Sequence, residues 1–212
     1  SSGFPMPPQA RDWSILNWNI RGLGDPKKWT AISNKIDEYK CPILCLQETK
    51  KELIDPSFLK NFCPRSFSKF ELLPSVGASG GLLVAWNDHV FSGVLFHIND
   101  FSISIQFTSK HNGDQWVLTN IYGPCEQQER HLFINWLKKI HIDDDVNWIL
   151  LGGFNYIRYP HNRSIARGNL DDMLSFSEAI NQQALVEIPL KGRKYTWSNM
   201  QEAPLLEKLD WC

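Results

Sequence analysis

The sequence predicts an α/β fold, a layered sandwich of two mainly antiparallel sheets flanked by helices. Three observations carry that prediction. A strand–helix–strand alternation opens the chain, four strand-like runs joined by short turn signals fill its middle, and two amphipathic helical stretches alternate with short apolar runs near its end. The 212 residues, 42% apolar and 21% charged, have ordinary globular composition, and the length suits one large domain. Residues 1–11, polar and rich in proline, are expected to be disordered, with residues 12–212 forming the domain.

Ser14–Ile20 (SILNWNI) carries large apolar residues up to the turn signal RGLGDP and reads as a buried strand. Lys27–Tyr39 places Trp29, Ile32 and Ile36 at helical spacing behind the start signal Asp25-Pro26. Pro42–Gln47 is a short continuous apolar run, as in a strand buried on both faces. Pro56 to Pro74 reads as a loop. Gly81–Trp86, Val90–Ile98, Ser102–Thr108 and Gln115–Ile121 then read as four strands, separated by Asn87-Asp88, Asn99-Asp100 and His111-Asn112-Gly113-Asp114. Links this short favour antiparallel neighbours. Glu126–Ile140 is expected as a helix with Leu132, Phe133, Trp136, Leu137 and Ile140 on one face. Trp148–Leu151 is a buried strand, Asp171–Gln182 a helix, and Tyr195–Ser198 opens a late strand that could run to Asp210.

Composition excludes several classes. Cys41, Cys45, Cys63, Cys125 and Cys212 are odd in number and scattered, which argues for reduced thiols in an intracellular protein rather than a disulfide framework or a zinc cluster. No apolar run approaches the roughly 20 residues of a membrane helix. A net charge of −1 argues against strong nonspecific nucleic-acid binding, which draws on phosphate neutralisation. The six histidines, His89, His97, His111, His131, His141 and His161, are expected at the surface in loops or at helix edges.

Seven short motifs follow one another along Trp13–Asp210: NWNIRGLG (Asn17–Gly24), LQETK (Leu46–Lys50), SGGLLVAW (Ser79–Trp86), NIYGP (Asn120–Pro124), LLGGFN (Leu150–Asn155), YTWSN (Tyr195–Asn199) and KLD (Lys208–Asp210). In this order and spacing they resemble the endonuclease/exonuclease/phosphatase family, and most closely the endonuclease domain of plant LINE-type retrotransposons. The resemblance implies in-line attack of water on a phosphodiester, with a magnesium ion held by hard oxygen ligands stabilising the growing charge. By that resemblance Asn19 and Glu48 form the metal pocket, and Tyr122 polarises a phosphate or leaving oxygen. Asn155 orients the scissile phosphate, and Asp210 holds a distant histidine. Gly80-Gly81 is expected to allow a close backbone approach.

Two departures from the family stand out. Where the family reads Gly-Asp-Phe-Asn or Gly-Asp-Leu-Asn, this chain has Gly153 before Phe154-Asn155, either as a replacement of the aspartate or beside its deletion. The family's closing Ser-Asp-His does not follow Asp210 before Cys212, so the last family strand or strands are expected to be missing. These departures imply a degenerate, catalytically silent domain acting through protein interaction, with weak or absent magnesium binding. They also imply a protein partner or self-association at the C-terminal edge, and weak nucleic-acid binding at most. The alternative is an active magnesium-dependent endonuclease in which other groups, such as Asp171 or Asp172, replace the missing ones.

Overall fold

In a computed structural model the described residues are 14–77, 79–143, 145–165, 168–189, 194–198, 200–202 and 204–212. The expected disorder of residues 1–11 lies outside them. Strand β1 (Ile15–Asn19) leads into helix α1 (Pro26–Tyr39), which begins where the Asp25 carboxylate accepts the Lys27 N–H at 2.9 Å. Proline at the first helical position suits that start, and Lys40 ends the helix in the left-handed region. The chain returns as β2 (Ile43–Gln47), parallel to β1 and buried throughout. A short helix α2 (Pro56–Leu59) and strand β3 (Phe67–Leu73) precede β4 (Leu82–Asn87), and the four strands form a sheet in the order β1-β2-β4-β3.

The second sheet begins as a meander of β5 (Phe91–Asn99), β6 (Ser102–Ser109) and β7 (Gln115–Tyr122). Helix α3 (Gln127–Lys139) crosses over to β8 (Asn147–Gly153), parallel to β7. Helix α4 (Leu170–Gln182) is followed by the two-residue strands β9 (Trp197–Ser198) and β10 (Leu206–Glu207), which pair with each other. Strand β11 (Asp210–Trp211) closes the second sheet in the order β11-β8-β7-β6-β5. Both sheets are mainly antiparallel, as expected.

Three apolar clusters stack the layers. Ile43, Cys45, Val84 and Trp86 of the first sheet meet Phe91, Ile103, Ile105, Phe107 and Leu118 of the second. On the outside, Ile32 and Ile36 of α1 cover Leu44, Leu46 and Leu83. Phe133 and Leu137 of α3, with Phe176 and Ala179 of α4, cover Ile121, Leu150 and Tyr156. Each fully buried aliphatic or phenyl side chain contributes about 1.5–3 kcal/mol, so the helices are held by their apolar stripes rather than by propensity.

Two expectations are corrected. The stretch from Pro56 to Pro74 is no loop, because it holds α2 and β3. Strand β3 hides in the sequence because Lys69 and Glu71 interrupt its apolar residues and a register shift between Phe67 and Lys69 breaks the alternation. The late strand does not run from Tyr195 to Asp210. It divides into β9, β10 and β11, with residues 199 and 203 outside the described set.

Candidate active site

The ends of four strands and the start of a fifth open on one groove. Asn19 ends β1, Glu48 follows β2, Tyr122 ends β7 and Gly153 ends β8. Asp210 starts β11 directly opposite Gly153, and Tyr122 is the register partner of Gly153 on the other side. All five residues expected to act together therefore come to the same end of the sandwich, with Asn155 two residues beyond Gly153.

A polar bridge fixes the two sheets at this end. The buried Asn120 amide of β7 donates to the carbonyls of Leu46 (3.2 Å) and Leu83 (3.1 Å) in the other sheet. The Gln47 amide donates to Asn120 Oδ1 at 2.6 Å and to Asn17 Oδ1 at 2.7 Å. In a dry interior these bonds specify one stacking register.

Glu48 sits at φ 53, a left-handed conformation that costs a non-glycine residue on the order of 1 kcal/mol. Its carbonyl accepts the Gly22 N–H at 2.6 Å, and the next two amides donate to Gly81 and Gly80, each at 3.1 Å. A Cβ on Gly81 would lie 2.3 Å from Thr49 Oγ1, so the glycine pair does permit the close approach expected of it. Asn19 Nδ2 donates to Glu48 Oε1 at 2.8 Å, and Asn19 Oδ1 accepts the Arg21 N–H at 3.3 Å. Burial, then the neighbouring Cys125 and Glu48, push the Tyr122 phenol far above its ordinary pKa, so it stays a proton donor at neutral pH. Burial and the Glu48 charge raise the Asp210 carboxyl, while a Thr196 hydrogen bond and Arg21 work against them; burial dominates.

Asn155 (φ 58) donates its amide to the Gly123 carbonyl at 2.6 Å. Arg130 of α3 donates to the Asn155 carbonyl at 3.0 Å and to Asp172 Oδ2 of α4 at 2.9 Å, and lies 3.8 Å over the Tyr156 ring. Sequence reasoning did not find Arg130, whose partner stands 42 positions away with no local signal to link them. Nor did it find Thr196, the Asp210 partner. Of the two suggested replacements, Asp172 lines the groove but is occupied by Arg130, while Asp171 is exposed and does not line it.

Gly153 stands beside three of these residues. A Cβ there would lie 3.2 Å from Asp210 Oδ1, 3.7 Å from Tyr122 Cδ2 and 3.8 Å from Asn19 Nδ2. Gly152, at φ +133, would drive a Cβ to 2.1 Å from the Ile121 carbonyl oxygen. Of the two glycines, position 153 is the one whose side chain would point among Asp210, Tyr122 and Asn19.

The groove encloses about 980 Å³. Its charged lining balances, with Arg21, Lys28, Arg130 and Arg163 against Glu48, Asp172, Glu207 and Asp210. Most of the cations are engaged. Lys28 donates to the carbonyls of Ile20, Arg21 and Gly22, Arg130 pairs with Asp172, and Arg163 pairs with Glu207 at 2.7 Å. The six histidines are exposed and none lines the groove, although His97 lies within β5 rather than in a loop. Among the described residues no group of three or more His, Cys, Asp or Glu could hold a metal. Glu48, Asn19 and Asp210 line the same groove, and their oxygens are hard donors of the kind magnesium takes.

Two stacked sheets, helices outside, and a polar groove at the strand ends define a class of layered α/β sandwich. The chain belongs to the Endonuclease/Exonuclease/phosphatase family, whose profile it matches over residues 16–199. Among solved structures it is similar to the endonuclease domain of TRAS1, a telomere-specific non-LTR retrotransposon, with 10% identity, TM-score 0.68, and 94% of this chain and 82% of that one covered. It is also similar to the AP endonuclease LMAP from Leishmania major (14% identity, TM-score 0.64, 94% and 78% covered). An AP endonuclease from Archaeoglobus fulgidus follows with 13% identity, TM-score 0.58, and 91% and 86% covered. At these identities the likeness speaks for the fold. No curated protein sequence matches the chain. No helix among the described residues is long and apolar enough to cross a membrane.

Proposed function

We propose that this chain is a retroelement-type endonuclease domain that has lost hydrolytic activity and works through protein contacts inside the cell. The observation that carries the reading is Gly153, a residue without a side chain at the one β8 position aimed among Asp210, Tyr122 and Asn19. Where the family places an aspartate to align or deprotonate water, glycine can do neither, and loss of a general base lowers rates about 10²–10⁴-fold. The engaged cations add to this, because a phosphodiester entering the groove would have to break Arg130–Asp172 or Arg163–Glu207 to gain their charge.

The remaining groups keep recognisable roles. Glu48, Asn19 and Asp210 would hold magnesium, which supplies charge stabilisation for the phosphoryl oxygens when bound. Tyr122 keeps its hydroxyl proton, and Asn155 stands at the groove with its amide donated to the Gly123 carbonyl.

A second reading, an active magnesium-dependent endonuclease, has one observation in its favour. Asp210 Oδ1 lies 3.2 Å from the missing Cβ, so this carboxylate could stand in for the absent one, and its raised pKa suits a base. A plasmid-nicking assay in magnesium separates the two. Wild type should match Glu48→Ala. Nicking that disappears in both Glu48→Ala and Asp210→Asn would establish the active reading instead.

A further inference from the structure

Strand β11 borders a second cavity besides the groove. Asp210 lines the groove and Trp211 lines this cavity of about 250 Å³, as the alternation of side chains along a strand requires. Its walls are Trp148, Phe154, Phe176, Ile180, Leu185 and Trp211, gathered from β8, α4, β11 and the segments that follow the first two. It reaches the surface beside Val186, which is 87% exposed. The segment carrying Val186 is tied on both sides: the Leu185 N–H donates to the Ile180 carbonyl at 3.1 Å, and the Ile188 N–H to the Cys212 carbonyl at 2.7 Å. The cavity is therefore formed before any ligand arrives, as small-molecule sites usually are.

Two charged residues, Arg158 and Glu187, line the cavity among these apolar ones, and they are not equivalent. The Glu187 carboxylate is engaged by Lys208 Nζ. Arg158 donates one terminal nitrogen to Asn181 Oδ1 at 2.9 Å, but its Nε is buried and has no hydrogen-bond partner among the described residues. A buried N–H of a cation without an acceptor is costly, and a carboxylate is the acceptor that suits a guanidinium best. The four aromatic rings of the wall favour a flat apolar body through edge and face contacts. We propose that this cavity binds a small aromatic monocarboxylate, its ring among Trp148, Phe154, Phe176 and Trp211 and its carboxylate on the Arg158 guanidinium. A cationic ligand would meet Arg158 with like charge while Glu187 is already paired, and a wholly apolar one would leave the Arg158 Nε unanswered.

Size limits the ligand. An apolar cavity of about 150 Å³ takes benzene, so this one holds a single ring with a short acid side chain, roughly ten non-hydrogen atoms. A ligand so small, in a cavity just under the usual range of volumes, binds with Kd on the order of 0.1–1 mM. The cavity shares no lining residue with the groove, and the proposal stands whether or not the groove hydrolyses anything.

Phenylacetate and its neutral counterpart phenylacetamide are the probes, each titrated to about 20 mM into the full chain at neutral pH. Two-dimensional NMR follows the indole N–H signals of Trp148 and Trp211. Phenylacetate should shift both signals saturably, and phenylacetamide should bind at least about tenfold more weakly, the ratio set by losing a charge-assisted hydrogen bond. Trp18 and Trp197, which line the groove, should not follow the titration. Arg158→Met keeps the apolar stem, loses the guanidinium and should bring the two probes level. Equal binding of the two probes to wild type overturns the proposal without recourse to the variant, as does a phenylacetate titration with no saturable shift at Trp148 and Trp211. A preference for the acid that survives Arg158→Met overturns it too. Shifts confined to Trp18 and Trp197 would put the acid in the groove instead, and the proposal would fall.

Discussion

Placing an aspartate at position 153 turns the geometry of the groove into a measurable charge. Gly153 lies in β8 outside the left-handed region, so the backbone accepts a side chain, and the new Cβ would come within 3.2 Å of Asp210 Oδ1. Two carboxylates about 4 Å apart repel by about 4 kcal/mol at an effective dielectric of 20, and protonation and side-chain adjustment would reduce this to about 2 kcal/mol at pH 7. For a chain of this size that is a fall in Tm of about 4–8 °C. The sign with pH follows from linkage. Each carboxyl is raised in the folded state above its unfolded value, so the penalty is absent below about pH 4 and complete once pH exceeds the raised folded values. Magnesium should reverse the loss: a site of about 0.1 mM affinity gains about 2.7 kcal/mol at about 10 mM ion. Differential scanning fluorimetry of wild type, Gly153→Asp and Gly153→Asn at pH 4 and 7, with and without magnesium, reads all of this. Gly153→Asp should melt lower only at pH 7 and only without the ion. An equal loss in Gly153→Asn, or a loss that persists at pH 4, would mean that the groove is crowded rather than charged, and the reasoning would fail.

Asp210→Asn removes a carboxyl that burial and Glu48 hold above its ordinary pKa, so denaturant melts should show it more stable than wild type at pH 7, with the gain disappearing towards pH 4. Gly152→Ala forces a side chain at φ +133 to within 2.1 Å of the Ile121 carbonyl oxygen and should cost about 3 kcal/mol or more, visible as a Tm drop of about 6–12 °C or as insoluble expression. Arg130→Met leaves the Asp172 carboxylate and the Asn155 carbonyl without their donor and should cost about 2–3 kcal/mol by urea unfolding, with Arg130→Lys recovering part of it.

The elements that sequence reasoning located are those whose signals are local. Asp25-Pro26 marks the start of α1 because both residues act within one turn, and β2 shows itself because all of its residues are apolar or buried. Strand β3 escaped because its register shift and its two charges spoil a period-2 pattern that only pairing with β4 makes sense of. The breaks between β9, β10 and β11 were equally hidden: Ser164 N–H bonds to Leu206 and Lys208 N–H bonds to Asn162, and those partners stand some forty residues upstream. Asn19, Glu48, Tyr122, Asn155 and Asp210 could be expected in one groove because each sits in a motif at a strand end. What the motifs do not contain is the support: Arg130 against Asp172, Thr196 under Asp210, and the direction in which Gly153 faces.

The Asn120–Gln47 bridge bears on how such a domain decays. Deleting a reaction needs only one changed residue, but Asn120 cannot follow it cheaply, because its amide is what satisfies two buried carbonyls of the facing sheet. Gln47, wholly buried and tied to Asn120 and Asn17, is under the same constraint. A lineage released from catalysis would therefore go on spelling much of NIYGP and LQETK for the sake of solubility and folding alone. Hydrolytic competence in relatives of this chain is then better judged at positions such as 153, where a side chain serves the groove and nothing in the packing demands it.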